Sequence, residues 1–320
     1  MWKTVLRRVL VMIPQLFILS ILIFILAKKM PGDPFTGLIT PQTSPAVLEE
    51  LRRKAGFYDP WHVQYIRWMG NAFKGNFGMS YTYKLPVSTL IGQRVNNTFI
   101  LSLFSMTLTY MLAIPLGILS GRYQNSLLDR GVTLYNYVSY TIPTFVLSLI
   151  MVWFFGYTLG WFPTTGSVTI GLTPGTFKYF IDRIHHIMLP AITYALLATT
   201  STIQYLRNEI IDAKSLDYVK TARSKGVPEN VVYSRHIFRN SILPIAAFFG
   251  YSITGLLSGS IFIERIFSYP GMGNLFISSI GSRDYSVVTA LILLFGFLTL
   301  IGSLLSDIIL SIVDPRIRIE

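Results

Sequence analysis

Residues 9–27 read Val-Leu-Val-Met-Ile-Pro-Gln-Leu-Phe-Ile-Leu-Ser-Ile-Leu-Ile-Phe-Ile-Leu-Ala, without a single charge. A helix needs about 20 apolar residues to cross a hydrocarbon layer about 30 Å thick, so this run has the length and composition of a membrane span. The pattern recurs at Phe99 to Ser120, Val132 to Leu159, Ile187 to Leu206, Ile242 to Ile263 and Val287 to Val313. Six runs of this kind predict an all-α polytopic membrane protein. Lys3, Arg7 and Arg8 precede the first run, as in a signal peptide. The run is too long for such a segment, however, and no small-residue cleavage site follows at Met30-Pro31-Gly32, so a retained helix is expected.

Basic residues near span ends are held on the cytoplasmic side. With the amino terminus inside, cytoplasmic segments carry three basic residues at the start, two in Gly121 to Gly131, seven in Arg207 to Arg239 and two in the tail. Two short external connections carry two each. Lys28 to Asn97 holds nine more, but loops longer than about 60 residues cross regardless of charge. Both termini are therefore expected in the cytoplasm. The chain divides into residues 1–29 (amino terminus and first span), 30–97 (an external subdomain), 98–313 (the remaining spans, with a cytoplasmic loop at 207–241) and 314–320 (a cytoplasmic tail). The net charge of +12 follows from this orientation and from contact with anionic lipid, without any need for nucleic acid.

The external segment opens with the helix-breaking Pro31-Gly32-Asp33-Pro34. Ser44-Pro45 and Asp59-Pro60 then look like two helix starts. After the second, Trp61, Tyr65, Trp68, Met69 and Ala72 share one helical face, either as a small packed core or as a face for a partner or the membrane interface. Within the spans, Pro14, Pro115, Pro143, Pro190 and the Gly250, Gly255 and Gly259 series favour kinks and close helix approach. The central turns of the runs hold no ionisable residue, Asp307 coming nearest. A carrier driven by an ion gradient needs a buried relay, so a channel or ion-coupled carrier is the disfavoured alternative.

No G-x-x-x-x-G-K-[ST] loop, H-E-x-x-H or G-x-S-x-G is present. The chain is therefore expected to bind no cofactor, to hold no catalytic or metal site and to lack enzymatic activity. His185 and His186 are neighbours that a helix points in different directions, better suited to a span entrance than to a metal. With no cysteine, disulfides and thiolate chemistry are excluded.

The loop at 207–241 carries the strongest functional signal. Good helix formers lead to Gly226-Val227-Pro228, where Gly lets the chain turn and Pro opens a new helix, predicting helix, sharp turn, helix. Val219, Ala222 and Val227 offer a small apolar surface ringed by Lys214, Lys220, Arg223, Lys225, Arg235 and Arg239. That surface suits either a groove on a partner or an anionic membrane face.

The run Asp217-Tyr218-Val219-x-Thr221-Ala222-Arg223-x-Lys225-Gly226, with Arg235-His236 and Asn240 before Pro244, resembles the EAA loop of ABC importer permeases of the peptide/nickel branch. Lys220 and Thr221 stand where the wider superfamily has Glu and its first Ala. Further segments resemble the first permease subunit of oligopeptide importers: Pro31-Gly32-Asp33-Pro34-Phe35-Thr36-Gly37, Gly75-Asn76-Phe77-Gly78-x-Ser80 and Tyr269-Pro270-Gly271-Met272-Gly273-Asn274-Leu275-Phe276. Arg283-Asp284-Tyr285-Ser286-Val287-Val288 and Asp314-Pro315-Arg316-Ile317-Arg318 do so as well.

The resemblance implies the type I ABC importer fold, with Asp217, Tyr218, Thr221, Ala222, Arg223, Lys225, Gly226, Val227 and Pro228 forming the ATPase-coupling loop. It implies a second, homologous permease subunit and two ATPase subunits that hold ATP and Mg. It also implies an extracellular or periplasmic receptor that delivers peptide, and residence in the bacterial cytoplasmic membrane. Dipeptide or nickel import is the alternative within the same branch.

Overall fold

In the computed structural model, two long helices lie against each other in the most extensive contact of the molecule: α4 (Val87–Arg122) and α7 (Phe177–Ala213). The residues described are 2–29, 45–54, 56–242, 245, 249–250, 252–255 and 260–313. The remaining helices are α1 (Trp2–Lys29), α2 (Pro45–Lys54), α3 (Trp61–Phe73), α5 (Leu127–Thr141), α6 (Thr144–Met151), which runs on as a π-helical stretch Val152–Thr158, and α8 (Asp217–Ser224). Glu229–Val231, the π-helical Val232–Ile237 and Phe238–Ser241 follow one another without a gap and are together termed α9. Then come α10 (Ile261–Ile266), α11 (Met272–Gly281) and α12 (Tyr285–Val313). Among the described residues the only strand-like feature is one isolated bridge, Met79 to Pro86.

Among the described residues, four helices are long and apolar enough to span a membrane: α1, α4, α7 and α12. The run expected as one span from Val132 to Leu159 is instead two helices, α5 and α6, meeting at 103°. Pro143 disfavours helix in the residue before it, and Ile142 is accordingly extended at φ −79°, ψ 120°. Counted as one broken span, this pair makes five. The expected span Ile242 to Ile263 lies partly outside the described residues, as do the Pro31 to Gly37 and Asp314 to Arg318 motifs, Ser44, Pro244 and Gly259.

The α4–α7 contact depends on two glycines. A methyl group at Gly117 would come within 3.0 Å of the Leu206 Cβ, and one at Gly121 within 2.8 Å of the Ile210 Cβ. Small residues let backbones approach where water-driven burial between helices is missing. The last helix, α12, packs along α1, with Gly296 against Leu19. Arg8 and Asp307 close one end of that pair at 2.9 Å, which puts the start of α1 and the end of α12 on the same side of the bundle.

At the other end of α1, α3 begins at Trp61, directly after Asp59-Pro60, and carries the expected aromatic face. Its aromatic face packs on α1: Tyr65 donates to or accepts from Ser20 at 2.7 Å, and Phe24 meets Tyr65 and Trp68 at 5.5 and 6.0 Å between ring centres. Most of the outer face of α1 stays bare, with Leu10, Ile13, Phe17, Ile18 and Leu26 all exposed.

A valine at Gly121 should overpack the α4–α7 contact and destabilise the protein by about 1–3 kcal/mol, visible as a lower Tm in detergent. At Gly70 of α3, by contrast, a methyl group would meet nothing within 4 Å. Gly70→Ala should therefore raise stability slightly, by about 0.5–1 kcal/mol of helix propensity. Equal effects at the two sites would remove the close approach as the reason.

Candidate functional site

The loop after α7 folds as a helical hairpin stapled at its tip. Helix α8 ends at Ser224, Lys225 caps it, and Gly226 turns the chain at φ +72°. The Gly226 N–H donates to Arg223 O at 2.9 Å and the Val227 N–H to Ala222 O at 3.2 Å. These two bonds satisfy carbonyls that a helix end otherwise leaves unpaired, the arrangement that favours glycine at this position. Pro228, which has no N–H to lose, opens α9. Across the turn, Arg223 donates to Glu229 at 2.7 Å. That hydrogen bond holds the Glu229 carboxyl below the usual carboxylate range. Lys220 pairs with Asp217 at 2.9 Å, and the Thr221 hydroxyl donates to Asp217 O.

The expected outward apolar surface is not there. Val219 is 0% and Ala222 6% exposed, both packed with Leu206, Ile210, Val232 and Ile237, and with Val227 at the edge of the same cluster. The hairpin uses its apolar residues to seat itself on its own helices. What it presents outward is mostly polar: Asp217, Thr221, Lys220 and Lys225 are exposed with Tyr218, Gly226 and Pro228, beside the apolar Leu216. Lys214, expected in the charged ring, turns inward and donates to Gly121 O at 2.5 Å and Arg122 O at 2.9 Å. Arg235 and Arg239 lie exposed on α9, while Asn240 donates to His236 O.

A cavity of about 560 Å3 opens between α4, α7 and the segment that carries Ile245, Ser252, Gly255, Ser260 and Ile263. Its walls present the hydroxyls of Ser102, Ser105, Thr109, Tyr110, Tyr194, Ser201, Thr202, Tyr205, Ser252 and Ser260, set among Leu101, Met106, Ile245 and Ile263. Among the described residues no charged side chain lines it.

Beyond Ile263 the chain reaches Glu264, at the end of the apolar run yet 0% exposed. Its carboxylate accepts from Thr98 at 2.7 Å and from the Asn274 N–H at 3.0 Å. Thr98 in turn accepts from the Met272 N–H at 2.7 Å. Anions are favourable at a helix start, so Glu264 satisfies the first turn of α11 and ties it to α4. A methyl group at Gly271 would fall 2.4 Å from that carboxylate, which accounts for the bare backbone in Tyr-Pro-Gly-Met-Gly. Asp284 does a similar task, accepting from Ser80 at 2.5 Å and the Thr82 N–H at 3.1 Å. That joins the Gly75 to Ser80 and Arg283 to Val288 motifs in space. A short motif with an acid next to glycines was the available signal; span hydropathy gave none.

His185 and His186 do part ways, to Trp161 O at 2.8 Å and Asp182 O at 2.9 Å. Among the described residues no group of three or more His, Cys, Asp or Glu could hold a metal.

Residues 113–319 match the family described as "Binding-protein-dependent transport system inner membrane component", and residues 1–109 match "Binding-prot-dependent transport system membrane comp, N-term". The chain belongs to this permease family. It is 41% identical to the oligopeptide transport system permease protein AppB of Bacillus subtilis, across 98% of both chains. It is 32% identical to the glutathione transport system permease protein GsiC of Escherichia coli, across 99% of both. The family carries the functional class with it: a multi-pass bacterial membrane protein that serves as the permease of an ABC importer, a transport component and not an enzyme.

The positive φ of Gly226 makes the hairpin tip sensitive to any side chain there, although a Cβ would meet open space. Gly226→Ala should weaken the turn by about 1–2 kcal/mol, and Gly226→Asn by less, because Asn tolerates this conformation. Hydrogen exchange at the amides of residues 226 and 227 reads the effect; faster exchange in the Asn variant than in the Ala variant would contradict it.

Proposed function

We propose that this chain is one of two homologous permease subunits of an ATP-driven oligopeptide importer, its hairpin at 217–228 seated on an ATPase subunit. The observation that carries the peptide assignment is the cavity between α4 and α7. A peptide of variable sequence has a constant main chain and inconstant side chains. A neutral hydroxyl whose proton is already given to a helix carbonyl, as at Ser105 and Thr109, can still accept from a main-chain N–H, and a wall without charged side chains avoids selecting among side chains. Kinship with AppB supports the same substrate class. Nickel is the poorer cargo, since it prefers imidazole and other nitrogen donors in a fixed geometry and the wall offers hydroxyls.

In this arrangement residues 242–263 supply the sixth span. The termini and the 207–241 loop face the cytoplasm, and residues 30–97 form the external subdomain where a peptide-binding receptor docks. The exposed faces of α5 and α6, with Leu134, Tyr137, Leu149 and Trp153, are available to the second permease subunit and to lipid. Two ATPase subunits hold the ATP and Mg. Their contact falls on Tyr218, Thr221 and Lys225 at the outward face of α8, with Asp217, Arg223, Gly226, Val227 and Pro228 keeping that face in shape and Ala222 anchoring it from beneath.

The orientation is open to a direct check. Single cysteines introduced at Glu50 and Lys74 should react with an impermeant thiol reagent on intact cells, and one at Lys225 only after permeabilisation. The reverse pattern would invert the topology.

Function is tested in vesicles carrying both permeases, the ATPase subunits and the receptor. Labelled oligopeptide should accumulate only with ATP, be displaced by unlabelled peptides of unrelated side chains, and ignore Ni2+. Uptake driven by an ion gradient with this chain alone would establish the carrier alternative. Competition by Ni2+ but not peptide would overturn the cargo.

A further inference from the structure

We infer that the buried Asp129–Arg207 ion pair locks α4, α5 and α7 together while Lys214 and Arg122 hold the two flanks of α8 to the end of α4, so that a push on α8 moves the two long helices as one body. This rests on the proposal that α8 receives an ATPase subunit; what it adds is where the force goes and which side chains carry it.

Asp129, in the first turn of α5, is 3% exposed at its side chain and Arg207 of α7 is 18% exposed. The guanidinium reaches both carboxylate oxygens, Nε to Oδ1 at 2.7 Å and a terminal nitrogen to Oδ2 at 2.8 Å. The Ser120 hydroxyl of α4 also donates to Oδ1, and the Asn125 N–H donates to Oδ2 at 2.8 Å. One carboxylate thus joins α4, the turn after it, α5 and α7. A bidentate, charge-assisted contact fixes orientation as well as distance. Removing one member of such a buried pair strands the other charge.

The hairpin is held to this block on both sides of α8. Before it, Lys214 ends α7 and donates to the carbonyls of Gly121 and Arg122, the last turn of α4. A cation is favourable where helix carbonyls are left unpaired. After it, Arg122 donates to Asn230 at 2.7 Å and lies 4.7 Å from the centre of the Tyr233 ring. The bare Gly121, needed for the α4–α7 approach, also brings its carbonyl within reach of Lys214. Beneath α8, Val219 and Ala222 fill the space against Leu206 and Ile210. A hinge needs a few residues free to change φ and ψ. Here the residues flanking α8 are fixed to α4 before and after it, so displacement passes through the attachment.

The chain contains no cysteine, which suits spin labelling of the full importer in vesicles. Cysteines introduced at Ser224 on α8 and Thr107 on α4, both exposed, give the loop-to-helix distance. The expected result is a narrow distribution that is the same without nucleotide and with ATP and vanadate trapped. In the Asp129→Asn, Lys214→Met double variant the distribution should broaden, and peptide imported per ATP hydrolysed should fall by about tenfold while the ATPase subunits still copurify. A distance in the parent that shifts with nucleotide while the ATPases are bound overturns this inference and leaves the docking proposal intact. So does a double variant with the parental distance and the parental ratio. If the unlabelled parent fails to bind ATPase subunits, the docking proposal falls and takes this inference with it. The parental measurement stands whether or not the double variant folds.

Discussion

The contact of α4 with α7 is the constraint on which the other elements depend. Lipid tails are as apolar as the side chains they surround, so helices in a bilayer gain little from hiding apolar surface from one another and must rely on close packing. Gly117 and Gly121 supply that closeness by letting Leu206 and Ile210 rest against bare α4. Once the two helices are set, the α4 carboxyl end lies beside the α7 carboxyl end, and the hairpin, the Asp129 cluster and the cavity walls take their places around them. Hydrogen bonding adds the polar fastenings: Thr98 with Glu264 at one end of α4, Ser120 with Asp129 at the other.

The two ends of α4 are treated alike in chemical terms. Each has a buried carboxylate that accepts from a hydroxyl of α4 and from backbone N–H. Glu264 additionally governs the start of α11, and Asp129 additionally holds Arg207. Between them the described walls of the cavity carry neutral hydroxyls. Fixed charge is thus kept to the frame and away from the described walls of the cavity, as the proposed peptide passage would need.

Much of this was legible in the residues. Hydropathy located four long helices, although α4 and α7 begin twelve and ten residues before their apolar runs, and Asp59-Pro60 with the aromatic spacing marked the start and packed face of α3. Gly226-Val227-Pro228 announced the hairpin, because few residues besides glycine take a positive φ cheaply. The direction of Val219 and Ala222 was not legible: a three-residue spacing defines a face but is silent on whether the covering surface belongs to a partner or to the same chain. The 103° bend at Pro143 was signalled by the proline but not its size, since proline in a span kinks by an amount that neighbouring contacts decide. Glu264, Asp129 and Arg207 escaped notice for a shared reason. They lie at the margins of the apolar runs, where position along the chain reads as solvent and only the packing of distant helices shows burial.

The partnership of α1 with α12 carries a consequence for biogenesis. An early helix finds its main neighbour in a late one, the Arg8 to Asp307 link spanning almost the whole chain. At a translation rate of about 5–20 residues per second, α1 waits roughly 13–50 s for that neighbour. During the wait its apolar surface must be shielded by lipid or by an insertion chaperone. A chain released before residue 285 leaves the ribosome with its first span lacking its main neighbour, only the short face of α3 still available to it among the described helices that pack on it.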